Sequence, residues 1–202
     1  MYKILGMLEY NQESDGRYPV PVKGKPGVAV ESGDTNVVLF DCDGVAVAVE
    51  QDGKWKSLTD LPIYRKPWAS VFVTDKRVIY AHDKYGKRGS SLVGHVRYEN
   101  MTALAVHRFK AGLRDDFAAL RILLSERDGP DIRLELKLVG RTPVADLGDD
   151  LLRRAIAVHE VSFSSEMSDQ VREKYQALRA HRFNPEKGAW EAVALPLSRY
   201  VQ

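Results

Sequence analysis

The middle of the chain alternates apolar and polar residues with a period of two, and that pattern leaves little room for anything but antiparallel sheet. Its clearest case is residues 131–138 (DIRLELKL): Ile132, Leu134, Leu136 and Leu138 fall on one side of an extended backbone, Arg133, Glu135 and Lys137 on the other. One dry face and one wet face describe a strand covered on a single side, as antiparallel sheets allow and doubly covered parallel sheets do not. Residues 68–97 are written the same way: an apolar strand over 69–74, a tight polar turn at Thr74-Asp75-Lys76, a second strand over 77–82, a charged loop over 83–91, then a third strand. Val71 and Val73 share a face with Ala69 while Phe72 takes the other, a β-branched and aromatic content that suits a pleated surface.

Residues 1–26 form an extended lead-in, because the Pro, Gly and Lys of 18–26 (YPVPVKGKP) cannot continue a helix and offer few ladder donors. Short strands are predicted over 27–31, 36–40 and 45–50, with Asp41-Cys42-Asp43-Gly44 as a polar turn between the last two. Asp52-Gly53 supplies the positive φ of a tight hairpin into 54–58. A proline-bearing connector over 61–67 follows, and further strands are predicted over 101–109 and 117–125. Helices come last. Residues 146–161 carry Leu147, Leu151, Leu152, Ala155, Ile156 and His159 on one stripe, with acids opening the first turn. A second, charged helix over about 165–181 has the narrower stripe Met167, Val171, Tyr175 and Leu178, and the tail with Trp190 shows no pattern. Strands followed by helices predict an α+β, mainly antiparallel chain.

Size and charge narrow the classes. At 202 residues the chain can hold one domain with a sizeable core, or one domain plus appendages, and 44% hydrophobic against 29% charged residues is a globular balance. A net charge of +2 gives no global field toward nucleic acid, so no nucleic-acid partner is expected and any anion site must be local. Cys42 is the only cysteine, which excludes an internal disulfide and suits a reducing cytoplasm; no long apolar run predicts a signal peptide or a spanning helix.

The order of elements, with Val71-Phe72-Val73-Thr74-Asp75-Lys76-Arg77-Val78-Ile79-Tyr80 and the later Tyr98-Glu99-Asn100 before a strand, resembles the pleckstrin-homology-like superfold in its bacterial and GRAM-type versions. The resemblance is strongest over 45–160. It implies a bent barrel over 27–161 capped by its C-terminal helix, with the second helix and tail at 162–202 outside it. It implies a non-catalytic binding or adaptor module, since the superfold carries ligands and no common reaction.

Two sites follow as expectations. Lys84, Lys87 and Arg88 in the 83–91 loop, with Arg97 on the next strand, could grip an anionic lipid head group or phosphate, although a wet loop is charged for solubility alone. The stripe Met167, Val171, Tyr175 and Leu178 could bury against a protein partner or a second copy, or against its own domain. An enzymatic alternative rests on Val37-Val38-Leu39-Phe40-Asp41-Cys42-Asp43-Gly44, which looks like the first motif of haloacid-dehalogenase-type phosphatases. There the position of Asp41 is the nucleophile and that of Asp43 the general acid/base beside Mg²⁺, with Thr74, Lys137 and Gly148-Asp149-Asp150 as further candidates. That chemistry sits on a parallel sheet with alternating helices, which this patterning does not provide. No metal or cofactor is expected: His82, His95, His107, His159 and His181 are dispersed, and His95 with His107 lack a nearby carboxylate.

Overall fold

The computed structural model describes residues 8–9, 20–21, 28–29, 35, 38–57, 69–83, 91–111, 115–125, 130–138, 143–186 and 188–197. They are α+β, and the chain divides into two compact units: 1–45 with 60–97, and 46–59 with 98–202.

In the first unit the strands run β1 (Leu8–Glu9), β8 (Ser91–Arg97), β7 (Arg77–Asp83), β6 (Ala69–Val73) and the first part of β4 (Val38–Gln51), while β2 (Val20–Pro21) pairs separately with β3 (Val28–Ala29). The β6–β7 hairpin is the one its sequence predicts. Val73 stands opposite Val78, and Thr74 is wholly buried in the turn. Its Oγ1 accepts from the backbone N–H groups of Lys76 and Arg77, both at 3.1 Å, and donates to the Arg77 carbonyl. A hydroxyl that satisfies three backbone groups fixes where the chain reverses. Two tighter contacts complete this unit. Gly94 lies against the ring of Tyr80, where a Cβ would collide with it, and the fully buried Arg77 sends NH1 to His95 Nδ1 at 2.8 Å. Guanidinium only donates, so Nδ1 accepts and the ring proton sits on Nε2.

The sequence reading of 41–44 as a turn is corrected here. β4 is one unbroken strand from Val38 to Gln51, with Asp41 opposite Ser70 and Cys42 opposite Ala69 in an antiparallel pairing. Gly44 has an open surrounding and no positive φ, so it adds no reversal. The polar residues had suggested a break, but extended backbone tolerates a short polar run when neighbouring strands supply its ladder bonds. The expected reversal at Asp52-Gly53 does occur: φ is 52° and 73°, both positive, and β5 (Lys54–Ser57) folds back on β4.

In the second unit the order is β5, the rest of β4, β11 (Ile132–Leu138), β10 (Asp115–Leu124), β9 (Met101–Ala111) and β12 (Trp190–Ala194). The pairings of β9, β10, β11 and β12 are antiparallel. The tail, without a legible pattern in sequence, thus adds a strand. Among the described residues the ladders are open at β1, β5 and β12, and no closed barrel is formed.

The inner face of β9, β10 and β11 carries Leu104, Val106, Leu120, Ile122, Leu134 and Leu136, each fully buried. Helix α1 (Val144–Ser162) presents Leu151, Leu152, Ala155 and Ile156, also buried, and its last turn places His159 inside. Each such aliphatic side chain contributes about 1.5–3 kcal/mol relative to exposure, so this interface dominates the unit's stability. Close approach is set at Gly148: a Cβ there would lie 2.7 Å from Val106 Cγ1 and 2.9 Å from Phe183 Cδ2. Helix α2 (Asp169–Ala180) follows a 3-10 turn at Ser164–Glu166 and is capped by Ser168, whose hydroxyl accepts from Val171 N. Only Tyr175 of α2 is buried.

The chain 181–197 is tied down step by step. Asp149 Oδ1 accepts from Phe183 N at 2.9 Å, Arg108 O accepts from Gly188 N, and Thr102 O accepts from Leu195 N. Gly148→Ala tests the packing, because two terms oppose. Alanine is favoured over glycine in a helix by about 1 kcal/mol, while overpacking a tight contact costs about 1–3 kcal/mol. Chemical denaturation is expected to show a net loss of up to about 2 kcal/mol, and a gain in stability would contradict the contact with Val106 and Phe183.

Candidate functional site

The outer face of the second unit's sheet is defined by register. Trp190, His107, Ala119 and Lys137 stand in one row; Ala192, Ala105, Arg121 and Glu135 in the next; Ala194, Ala103, Leu123 and Arg133 in a third. The alanines of β9, β10 and β12 keep this face low. Trp190 on β12 can therefore reach across β9 until the Arg121 guanidinium on β10 lies over its indole, 3.8 Å from the ring centroid. The His107 ring packs against the same indole at 4.9 Å, tilted by 57°. Arg121 is held from its other side by Glu135, whose Oε2 accepts from Nε at 3.2 Å and from NH2 at 2.9 Å.

A second stack stands toward β5. Trp55 is exposed to 39% of its surface and faces Glu50 across the hairpin, and Arg133 places its guanidinium 4.7 Å from its ring centroid. Arg133 and Arg121 are diagonal neighbours on β11 and β10. Partial burial pushes the Arg133 guanidinium below its ordinary pKa, the charge of Arg121 adds to that, and Glu135 opposes it. Glu135 thus holds two like charges on one small area. The result is a diagonal run of flat groups across these rows, Trp190, Arg121, Glu135, Arg133 and Trp55, with ring faces and guanidinium forks positioned by strands. Such groups can stack on planar partners and donate in pairs to carboxylate or phosphate oxygens.

The residues predicted from sequence fare differently. Lys84, Lys87 and Arg88 lie outside the described residues. Arg97 closes β8, half-buried, opposite Arg77. Of the α2 stripe, Met167, Val171 and Leu178 are half-buried, and Tyr175 is buried within its own unit. The Tyr175 hydroxyl lies 2.8 Å from His159 Nδ1, accepts from Leu197 N at 3.2 Å and reaches Leu197 O at 3.3 Å. His159 Nε2 lies 2.7 Å from the Tyr98 carbonyl, an acceptor only, so Nε2 carries the proton and Nδ1 accepts from Tyr175.

Three of the phosphatase candidates, Thr74, Asp149 and Asp150, are engaged in structural hydrogen bonds or ion pairs, and Lys137 stands on β11 opposite Ala119. Asp41 and Asp43 sit within antiparallel β4 and not at the end of a parallel strand, Thr74 is the turn hydroxyl of β6–β7, Asp149 anchors Phe183, and Asp150 pairs with Arg154 at 2.7 Å. His95 and His107 belong to different clusters, on Arg77 and Trp190. Among the described residues no three His, Cys, Asp or Glu side chains gather as a metal would need, and no helix is long and apolar enough to cross a membrane. Compared with known proteins, the chain matches no family model, and no curated protein matches it.

Sequence reasoning passed over Trp190, Arg121 and Trp55. The signal was present in the period-two spacing of Trp190-Glu191-Ala192-Val193-Ala194, which is strand spelling with small residues on the wet side. Arg121 and Glu135 are predictable partners only once the β10–β11 register is known. A double-mutant cycle on Trp190→Leu and Arg121→Leu is expected to give a coupling of about 0.5–1 kcal/mol in unfolding free energy. Additive effects would show that the stack contributes nothing to folding.

Proposed function

We propose that this chain is a non-catalytic binding or adaptor module whose strand–turn–strand core is of the pleckstrin-homology-like kind. Its contact surface is the part of the outer sheet face that bears the exposed Trp55 and the half-buried Arg133, Arg121 and Trp190. The observation that carries the reading is the exposure of Trp55 with a guanidinium already stacked on it. An indole left in water by the fold has surrendered the burial that would otherwise stabilise it, while arginine and tryptophan are the side chains that anchor contact surfaces most strongly. The resemblance carried by Thr74-Asp75-Lys76-Arg77 supports the class, because the turn those residues build is a scaffold feature held by its own hydroxyl. A protein partner or an anionic head group is the ligand class that ring faces, guanidinium groups and the basic residues Lys84, Lys87, Arg88 and Arg97 would take.

The test compares the wild type with Trp55→Ala/Arg133→Ala and with Lys84→Glu/Lys87→Glu/Arg88→Glu. Sedimentation with vesicles rich in phosphatidylserine at low salt reads head-group binding, and sedimentation equilibrium reads self-association. Binding in either assay that one of the two variants weakens at least tenfold, about 1.4 kcal/mol, supports the reading. A wild type that stays in the supernatant and remains monomeric contradicts it.

A further inference from the structure

Tyr175 is the one fully buried side chain of helix α2, and it ends on His159, while Arg179 adds an ion pair to Glu160 at the surface. We propose that α2 and the chain at Leu197 form a latch whose grip on α1 requires His159 to be neutral, so that mild acid releases them while the sheet stays folded.

The geometry assigns every proton in the cluster. His159 Nε2–H donates to the Tyr98 carbonyl, Tyr175 O–H donates to Nδ1, and Leu197 N–H donates to the Tyr175 oxygen. The imidazole is fully buried and edged by the Phe163 ring at 5.1 Å. A second ring proton removes the lone pair that Tyr175 uses. The hydroxyl must then turn its own proton to Leu197 O, the more distant acceptor at 3.3 Å, and a charge is left in an apolar pocket.

The groups facing the cluster do not offset this. Burial holds His159 below its ordinary pKa; the Tyr98 carbonyl, Glu99 and Leu197 pull the other way, and the net shift is downward. On α1, Glu160 is already engaged by Arg179 of α2, and Glu166 stands exposed on the turn that follows. From β9 and β10 the buried face offers Leu104, Val106, Leu120 and Ile122. Burial also raises the Tyr175 hydroxyl, to about 12, so it remains a donor throughout the accessible range.

The sign follows from linkage. Docked α2 disfavours the second proton, and undocked α2 leaves His159 in water with its ordinary value of 6.5. Docking is therefore at full strength above about pH 6.5. It weakens by up to about tenfold for each unit below that, until the docked-state value is passed. The sheet lacks this dependence because its core amides stay closed whether or not α2 is docked.

Hydrogen exchange on the full chain, corrected for intrinsic rates, tests this between about pH 7.5 and about pH 5. The amides of 171–178 and of Leu197 are expected to lose up to about thirtyfold in protection while 118–124 and 132–138 keep theirs, and His159→Gln is expected to abolish the difference. Equal losses in helix and sheet, or an undiminished loss in His159→Gln, would overturn the proposal. Should that variant fail to fold, the titration of the His159 ring in the wild type by NMR decides: a midpoint below 6.5 supports the latch and one at or above it overturns it.

Discussion

The second unit depends on one interface, the apolar stripe of α1 laid against the inner face of β9, β10 and β11. Leu104, Val106, Leu120, Ile122, Leu134 and Leu136 on the sheet and Leu151, Leu152, Ala155 and Ile156 on the helix are all but excluded from water. The sheet would otherwise expose one apolar face to water, and a helix draws most of its stability from packing its amphipathic face rather than from propensity. Their contact is also what gives Gly148 its meaning. The absent side chain lets the helix come close enough for Val106 and the Phe183 ring to fill the notch. Once the helix is seated, Asp149 on the next position catches the Phe183 amide, and the returning chain is led to β12 beside β9.

Polar groups inside the units are used to join elements that apolar contact alone would leave free to slide. Dispersion and burial are indifferent to register, whereas a buried hydrogen bond left unmade costs about 1–3 kcal/mol. His159 joins the last turn of α1 to the 3-10 turn before β9 through Tyr98 and to α2 through Tyr175. In the other unit Arg77 and His95 join β7 to β8 in the same manner, and Thr74 closes the hairpin that leads into Arg77. Asp75 extends this outward. Although partial burial works against it, the hydrogen bonds from the Thr35 amide and hydroxyl, helped by Lys76, hold its carboxyl below the usual range.

Much of the scaffold was legible because it obeys local rules. Period-two alternation gave β11 almost to the residue, Asp52-Gly53 gave a hairpin through its positive φ, and the 3.6-residue stripe gave α1. Two failures have physical causes. Asp41-Cys42-Asp43-Gly44 has the composition of a turn, yet β6 supplies ladder partners to Asp41 and Cys42 and extended pairing overrides propensity. Trp190–Ala194 was hidden because its pairing with β9 spans more than eighty residues of sequence. The candidate surface suffered most. Trp190, Arg121, Glu135, Arg133 and Trp55 come from distant segments, and only register makes them neighbours across adjacent rows of one face. The α2 stripe was visible in sequence, but whether Tyr175 faces outward or inward is decided by His159, sixteen residues away.

The seating of α1 on the meander is most directly tested by nuclear Overhauser contacts in a methyl-labelled sample. The structure predicts cross-peaks from the Val106 methyls to the Gly148 α-protons and to the Phe183 ring, alongside cross-strand contacts between Ile122 and Leu134. A spectrum in which Gly148 touches none of the β9 methyls, or in which Ile122 and Leu134 are far apart, would contradict the interface on which the rest of the unit is built.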